Sequence, residues 1–277
     1  MALFATVRDV YADRPEGVTI YGMFSSMLAF VPALGPIAGA IIADRFGWRM
    51  IFMTLGILGL LSLLNALLRW HETRPTSAGP SRALFGPIMR SPEFWCYTLG
   101  FSAAMGTFFV FFSTAPRILV AKGGYSELEF SLAFATAALV MIVTARFAKV
   151  FVVHWGIGGS LVRGMSTLLV GSLLLTIGQV AGSPSFLSFV MPMWVMAIGI
   201  VLTVSVTANG ALRNFDDTAG SAVALYFCVQ SLMVGIVGTL AVIALRGDTA
   251  WPLIAYSSST ALLTLVAMGL LEQRTRS

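Results

Sequence analysis

Gly35 and Gly39 stand four residues apart in the apolar run Val31-Pro32-Ala33-Leu34-Gly35-Pro36-Ile37-Ala38-Gly39-Ala40. That spacing puts both glycines on one helix face, where two helix backbones can approach closely. Pro32 and Pro36 each remove a backbone N–H and bend the helix. Gly22 lies earlier in the same apolar segment. The chemistry is mechanical: a kinked helix packed tightly on a neighbour. The same spacing also serves plain helix packing, which is common in membranes.

A second set of residues is polar but uncharged. Tyr226 and Gln230 are four apart and share a helix face, as do Thr203 and Thr207, and Ser205 and Asn209. Tyr97, Ser102, Thr107 and Ser113 lie in one apolar run beside Phe108, Phe109, Phe111 and Phe112. Such groups can line a cavity for a neutral aromatic solute, with rings for stacking and amides for orientation. Tyr97, Phe108, Asn209, Tyr226 and Gln230 are the cavity candidates. The alternative is interhelical hydrogen bonding, which hydroxyl and amide side chains supply in bundles.

Other chemistry lacks its parts. No nucleotide-binding G-x-x-x-x-G-K-[ST], no H-E-x-x-H and no G-x-S-x-G occurs, so the chain is not expected to be an enzyme. The run Gly156-Ile157-Gly158-Gly159 follows no strand and is expected as a turn between helices. Cys96 and Cys228 are far apart in separate apolar runs, and His71 and His154 lie in separate polar connections. Neither a disulfide framework nor a metal site is expected from them. No carboxylate sits near the middle of an apolar run, although proton-coupled carriers normally need one. Either no proton is coupled or its carrier lies outside this chain. Arg146 and Lys149 fall in the last turns of such a run and are expected as snorkelling anchors.

The elements that position these residues follow from composition. Of 277 residues, 57% are hydrophobic and 10% charged. A soluble domain carries about 25% charged residues, so lipid is the fitting solvent and the expected class is all-α integral membrane. Crossings of about 20 apolar residues are expected near 18–43, 50–69, 93–115, 129–150, 161–181, 186–209, 218–245 and 251–271, eight transmembrane helices in all. Residues 70–92 carry Pro75, Gly79, Pro80, Pro87 and Pro92 with Arg74, Arg82 and Arg90, a linker composition that divides 1–69 from 93–277. With eight crossings, Arg45, Arg49, Arg117, Lys122 and Arg246 fall on one side and the other 12 of the 17 basic residues on the opposite side. The positive-inside rule then puts both termini and the linker in the cytoplasm. The net charge of +5 marks crossing ends, and no nucleic-acid partner is expected. Ala2 to Val7 is too short for a signal-peptide core and reads as the last turns of a helix.

The G-P-x-x-G pattern at Gly35 to Gly39 resembles the antiporter motif of the major facilitator superfamily, found there in the fifth of twelve spans. Residues 70–92 then resemble the family's central cytoplasmic loop, and 93–277 its C-terminal six-helix bundle. Arg146 to Gly159 resembles a worn copy of the loop motif between the second and third spans of a half. The strings FATVRDVYADRPEG (4–17), SSMLAFVPALGPIAGA (25–40), GTFFVFFSTAPR (106–117), VSVTANGAL (204–212), YFCVQSL (226–232) and GDTAWP (247–252) closely resemble the chloramphenicol/florfenicol exporters of the Bcr/CflA group of drug:proton antiporters.

The resemblance implies a partial major facilitator superfamily fold in the bacterial inner membrane, with residues 1–69 as the last two spans of the N-terminal bundle. It implies efflux of phenicol antibiotics by alternating access, driven by the proton gradient without a cofactor. It also implies that four spans of the family are not matched here. They include an acidic residue in the first and a basic residue in the fourth that are implicated in proton coupling and substrate handling. The expected partners are a small neutral aromatic drug, protons, the bilayer and a missing N-terminal half. Without that half the chain is not expected to transport on its own. The alternative is a membrane scaffold or assembly subunit that moves nothing.

Overall fold

The computed structural model describes Gly35 and residues 38–69, 85–182, 185–215 and 218–276. All described secondary structure is helical. The chain divides into two compact units, Met1–Ser81 and Arg82–Ser277.

In the first unit a helical stretch over 38–46 ends at Gly47, whose φ of 83° suits a residue without a Cβ. Helix α1, Trp48–Arg69, follows. Its 22 residues span about 33 Å, enough for a hydrocarbon core of about 30 Å. Apolar residues cover every side of it, with Phe52, Leu60, Leu64 and Leu68 exposed, the composition of a membrane span. Asp44, Arg45 and Arg49 sit at the connection, with Arg49 over the Trp48 ring at 5.5 Å. Most of the first expected crossing, 18–43, lies outside the described residues.

The second unit begins with a short helix α2, Phe85–Met89. Helix α3, Pro92–Pro116, starts one turn later. Ser91 caps it by accepting a hydrogen bond from the Phe94 N–H at 3.2 Å, and Pro92 sits in the first turn, where its missing N–H costs nothing. The helix continues as a π-helical turn, Arg117–Lys122. Helix α4, Glu127–Ala181, opens with a capping box between Ser126 and Glu129. Another π-helical turn, Phe186–Val190, leads into α5, Met191–Leu212. Helix α6, Ala219–Leu232, runs through a π-helical turn, Met233–Gly238, into α7, Thr239–Ala244. Helix α8, Trp251–Arg276, ends the described chain.

Helix α4 has 55 residues, or about 82 Å if straight, far longer than one crossing. It breaks at Gly156, which alone leaves the helical region with φ 71° and ψ 176°. The two arms fold back on each other. At the far end from Gly156, the Phe186 N–H donates to the Tyr125 hydroxyl at 3.0 Å, although the two residues flank opposite ends of α4. Nearby, the Trp194 indole N–H donates to Thr136 Oγ1 at 2.9 Å. Counting both arms, unit two has six crossings.

Here the structure corrects the sequence reading. The first arm runs to Trp155 instead of ending near 150, and Ile157 to Gly159 are helical. One glycine in the left-handed region makes the whole break, so no four-residue turn is needed. His154 accordingly lies on the helix, exposed, and not in a polar connection.

Rings and small residues fill the interior. Phe111 stacks on Phe134 and Phe189 at centroid distances of 5.3 and 5.7 Å, joining α3, α4 and the turn before α5. Between the second arm of α4 and α5, Gly164 faces Gly199. A Cβ at Gly199 would lie 2.6 Å from the Gly164 carbonyl oxygen, so the backbones touch where a side chain would separate them.

A charge-free aromatic and amide face on the six-crossing unit

The cavity candidates are placed by α3, α5 and α6. Helix α6 meets the rest of the unit along Ala222, Tyr226, Gln230 and, through the π-helical turn, Val234 and Gly238. These positions recur every four residues. In a regular α-helix each step of four overshoots a full turn by about 40°. The wider π-helical turn takes back that drift and keeps the stripe facing its neighbours.

Tyr226 is fully committed. It is 1% exposed, and its hydroxyl donates to Thr207 Oγ1 on α5 at 3.0 Å. Its ring stacks on Phe101 of α3 at 4.6 Å between centroids. Phe227 sets its edge against both rings, at 5.7 and 5.3 Å, and reaches the surface. Tyr97, one turn before Phe101, is buried with its ring against Gly210 of α5. Tyr97 and Tyr226 therefore mark one zone, where α3, α5 and α6 meet.

Phe108 belongs elsewhere. Two turns along α3, its ring is 5.7 Å from Phe112 and 6.2 Å from Phe134, within the aromatic interior. Asn209 is exposed on α5 and Gln230 is half-buried on α6, neither with a hydrogen-bond partner among the described residues. They are the amides that remain available to a solute.

Most hydroxyls in the apolar runs are spent locally. Thr98, Ser102, Thr107 and Thr114 of α3 are buried, and each donates to the carbonyl four residues back at 2.6–2.8 Å. Bonds between crossings are fewer: besides Tyr226 to Thr207 and Trp194 to Thr136, they include Ser172 to Ser257 at 2.6 Å, the Tyr256 hydroxyl to the Ser102 carbonyl at 2.9 Å, and the Ala250 N–H to Gln179 Oε1 at 3.0 Å. Thr203 Oγ1 is buried without a partner, packed against Gly164. Sequence reasoning missed Phe101 and Phe227. The four-residue step from Tyr97 to Phe101, which aligns two rings, was the available signal.

Charges are confined to the two ends. At one end Glu93 accepts from Arg213 at 3.0 Å and from Asn214 at 2.7 Å, tying the start of α3 to the end of α5. At the other end Lys122 pairs with Asp248 at 2.6 Å. The hydrogen bond from Lys122 holds the Asp248 carboxyl below the usual carboxylate range. Between these ends the buried polar side chains among the described residues are serine, threonine and tyrosine. Arg146 and Lys149 are exposed on the first arm of α4, with no ion-pair partner among the described residues. No cluster of three metal-capable side chains occurs among the described residues.

In the first unit Gly35 is exposed and Gly39 half-buried, with no described atom within 4 Å of where either Cβ would sit. Gly22, Pro32 and Pro36 lie outside the described residues.

The described residues form a multi-pass helical membrane protein whose buried polar groups are uncharged and whose charges lie at the crossing ends. The sequence profile of the Major Facilitator Superfamily matches residues 2–239, and the chain belongs to that family of transporters. It is 44% identical, over 96% of its own length, to a chloramphenicol resistance protein of Pseudomonas aeruginosa. It spans 64% of that relative's length. An uncharacterized MFS-type transporter, YdgK of Bacillus subtilis, is 29% identical over 98% of this chain and 68% of its own. A chloramphenicol resistance protein of Escherichia coli is 35% identical over 40% of this chain and 37% of its own.

Proposed function

We propose that this chain works as part of a two-bundle carrier that exports phenicol antibiotics, chloramphenicol and florfenicol, across the bacterial inner membrane in exchange for protons. The observation that carries the reading is the 44% identity to a chloramphenicol resistance protein along 96% of the chain. The interior supports it. Phenicols are neutral, with an aromatic ring, hydroxyls and an amide. Phe227 at the surface, backed by Phe101 and Tyr226, offers ring faces, while Asn209 and Gln230 offer amide donors and acceptors. No fixed charge stands among the buried described residues to attract an ionic solute instead.

Residues 93–277 act as one of two bundles that rock about a central site, and 1–69 belong to the other, with 70–92 as the cytoplasmic linker between them. Both termini face the cytoplasm. The proton gradient supplies the energy and no cofactor takes part. The proton carrier lies in the partnering half, since no carboxylate is buried among the described crossings.

The test is drug tolerance in a bacterial host stripped of its own efflux pumps. Unchanged tolerance is expected when the chain is expressed alone, and raised tolerance to chloramphenicol and florfenicol, abolished by a protonophore, when it is expressed together with an N-terminal half of a family exporter. Unchanged tolerance in both cases, with the chain present in the membrane fraction, overturns the reading and favours a scaffold.

A further inference from the structure

The crossing Gly220–Ala244 is held unevenly along its length. Its first half, α6, is pinned by the Tyr226 hydroxyl on Thr207 and by the ring stack on Phe101. The π-helical turn Met233–Gly238 stands in mid-crossing, whereas the other two stand at crossing ends. In that turn Val234 and Gly238 are buried, and a Cβ at Gly238 would meet the Phe109 ring of α3 at 3.2 Å. Gly235 is different. It is exposed, no described atom lies within 4 Å of where its Cβ would sit, and its φ is not positive. Neither close packing nor a left-handed backbone calls for glycine there, and what glycine still supplies is backbone freedom. Beyond the turn, α7 has no fully buried residue.

The tip beyond α7 is fastened lightly. Asp248, in the turn after α7, meets Lys122 at the end of the turn that follows α3, and the two side chains are 40% and 45% exposed. Gly247 rests on the tip of the Arg117 side chain, a flexible partner. The next fixed point is Ala250, whose N–H donates to Gln179 Oε1 of α4 at 3.0 Å. We propose that residues 239–249 are a hinged gate: they swing away from the end of α3 about the π-helical turn, and the Lys122–Asp248 pair latches them closed. Segments with few buried apolar groups open at little cost. Helices bend where a turn is widened, and an ion pair that reaches solvent is weak enough to part. All three features meet in this one segment. The motion is a property of this chain alone. Its use as a solute exit, at the end opposite the Glu93–Arg213 pair, rests on the exporter reading.

The experiment is double electron–electron resonance on the purified full chain in lipid nanodiscs, with Cys96→Ala and Cys228→Ser as background. Spin labels at Ile243→Cys and Leu187→Cys, both exposed, report the gate. Labels at Leu232→Cys and Leu187→Cys report the pinned half as a reference. A second, longer distance is expected for the gate pair and a single distance for the reference pair. Asp248→Asn should raise the longer population about three-fold, the effect of losing one exposed ion pair. Lys122→Met should shift it the same way, and Gly235→Ala should lower it. A single gate distance that persists in Asp248→Asn and Lys122→Met overturns the proposal. A ratio of populations that neither variant changes does so as well, and so does a reference pair that moves together with the gate pair. Drug tolerance is not read here, so a failed gate leaves the exporter reading standing, and a failed exporter reading leaves the gate.

Discussion

Where the second arm of α4 meets α5, Gly164 and Gly199 bring two backbones into contact and leave no room for a Cβ. Helix α6 is held differently. Among its described residues between Ala219 and Leu232 only Ala222 and Tyr226 are fully buried, and Phe227, Cys228 and Leu232 face outward. The first region is a seam of small residues joined by van der Waals contact. The second is a helix fastened by one ring stack and one hydroxyl. A carrier needs both. Under the proposed function the seam would hold the bundle together, and the lightly fastened helix would offer its polar groups to a solute. Substitutions at the seam are therefore expected to destroy folding, and those on α6 and the outer face of α5 to change handling of the solute.

The largest effect is expected from Gly199→Val. Its Cβ would meet the Gly164 carbonyl oxygen at 2.6 Å, a backbone atom that cannot swing aside. Overpacking of this kind costs about 3 kcal/mol. Size-exclusion chromatography after detergent extraction should show loss of the monodisperse peak. Survival of that peak would erase the distinction between seam and α6. Gly156→Ala comes next. Placing a Cβ at φ 71° and ψ 176°, a conformation essentially confined to glycine, costs about 1–3 kcal/mol, read as a lower thermal unfolding midpoint.

A pair of substitutions sharpens the other side. Tyr226→Phe removes the bond to Thr207 but keeps the stack on Phe101. A stability loss of about 0.6 kcal/mol is expected, the average for such bonds in membrane bundles. Asn209→Ala should leave the unfolding midpoint within the error of a surface change, about 0.5 kcal/mol. It should nevertheless lower chloramphenicol tolerance in the pump-deficient host. If Tyr226→Phe abolishes tolerance and Asn209→Ala does not, the working face is the buried one.

The smallest effect concerns pH. Asp248 is half-buried and the hydrogen bond from Lys122 holds its pKa down, so the folded form favours the carboxylate. The contribution is complete above the ordinary aspartate value of about 3.9 and is lost as pH falls through the lower folded value. The unfolding midpoint should be insensitive to Asp248→Asn below that window and slightly lowered by it at neutral pH.

The crossings were legible because hydropathy over about 20 residues is set by lipid alone. The division of α5 into a Thr203–Thr207 face and a Ser205–Asn209 face was legible too, since helical spacing fixes which side chains travel together. Spacing does not say which neighbour a face meets. Tyr226 and Gln230 share a side of α6, yet only the tyrosine finds a hydroxyl partner. The hydroxyls of Ser102 and Thr107 looked available and are bonded within α3. Back-bonding to the fourth carbonyl is open to any helical serine or threonine, so composition cannot separate a spent hydroxyl from a free one. The π-helical turns at 117–122, 186–190 and 233–238 were invisible for another reason. Each alters the helix by widening one turn, which leaves hydropathy unchanged.

The hinge at Gly156 bears on biogenesis. A one-residue joint leaves no slack between the arms of α4, so neither can settle into the bilayer while the other waits outside it. The pair is expected to enter as a single hairpin, and a protease site or epitope inserted at Gly156 is expected to disrupt it. Arg146, Lys149 and Arg163 flank that joint, and on the proposed topology these cations would hold it on the cytoplasmic side.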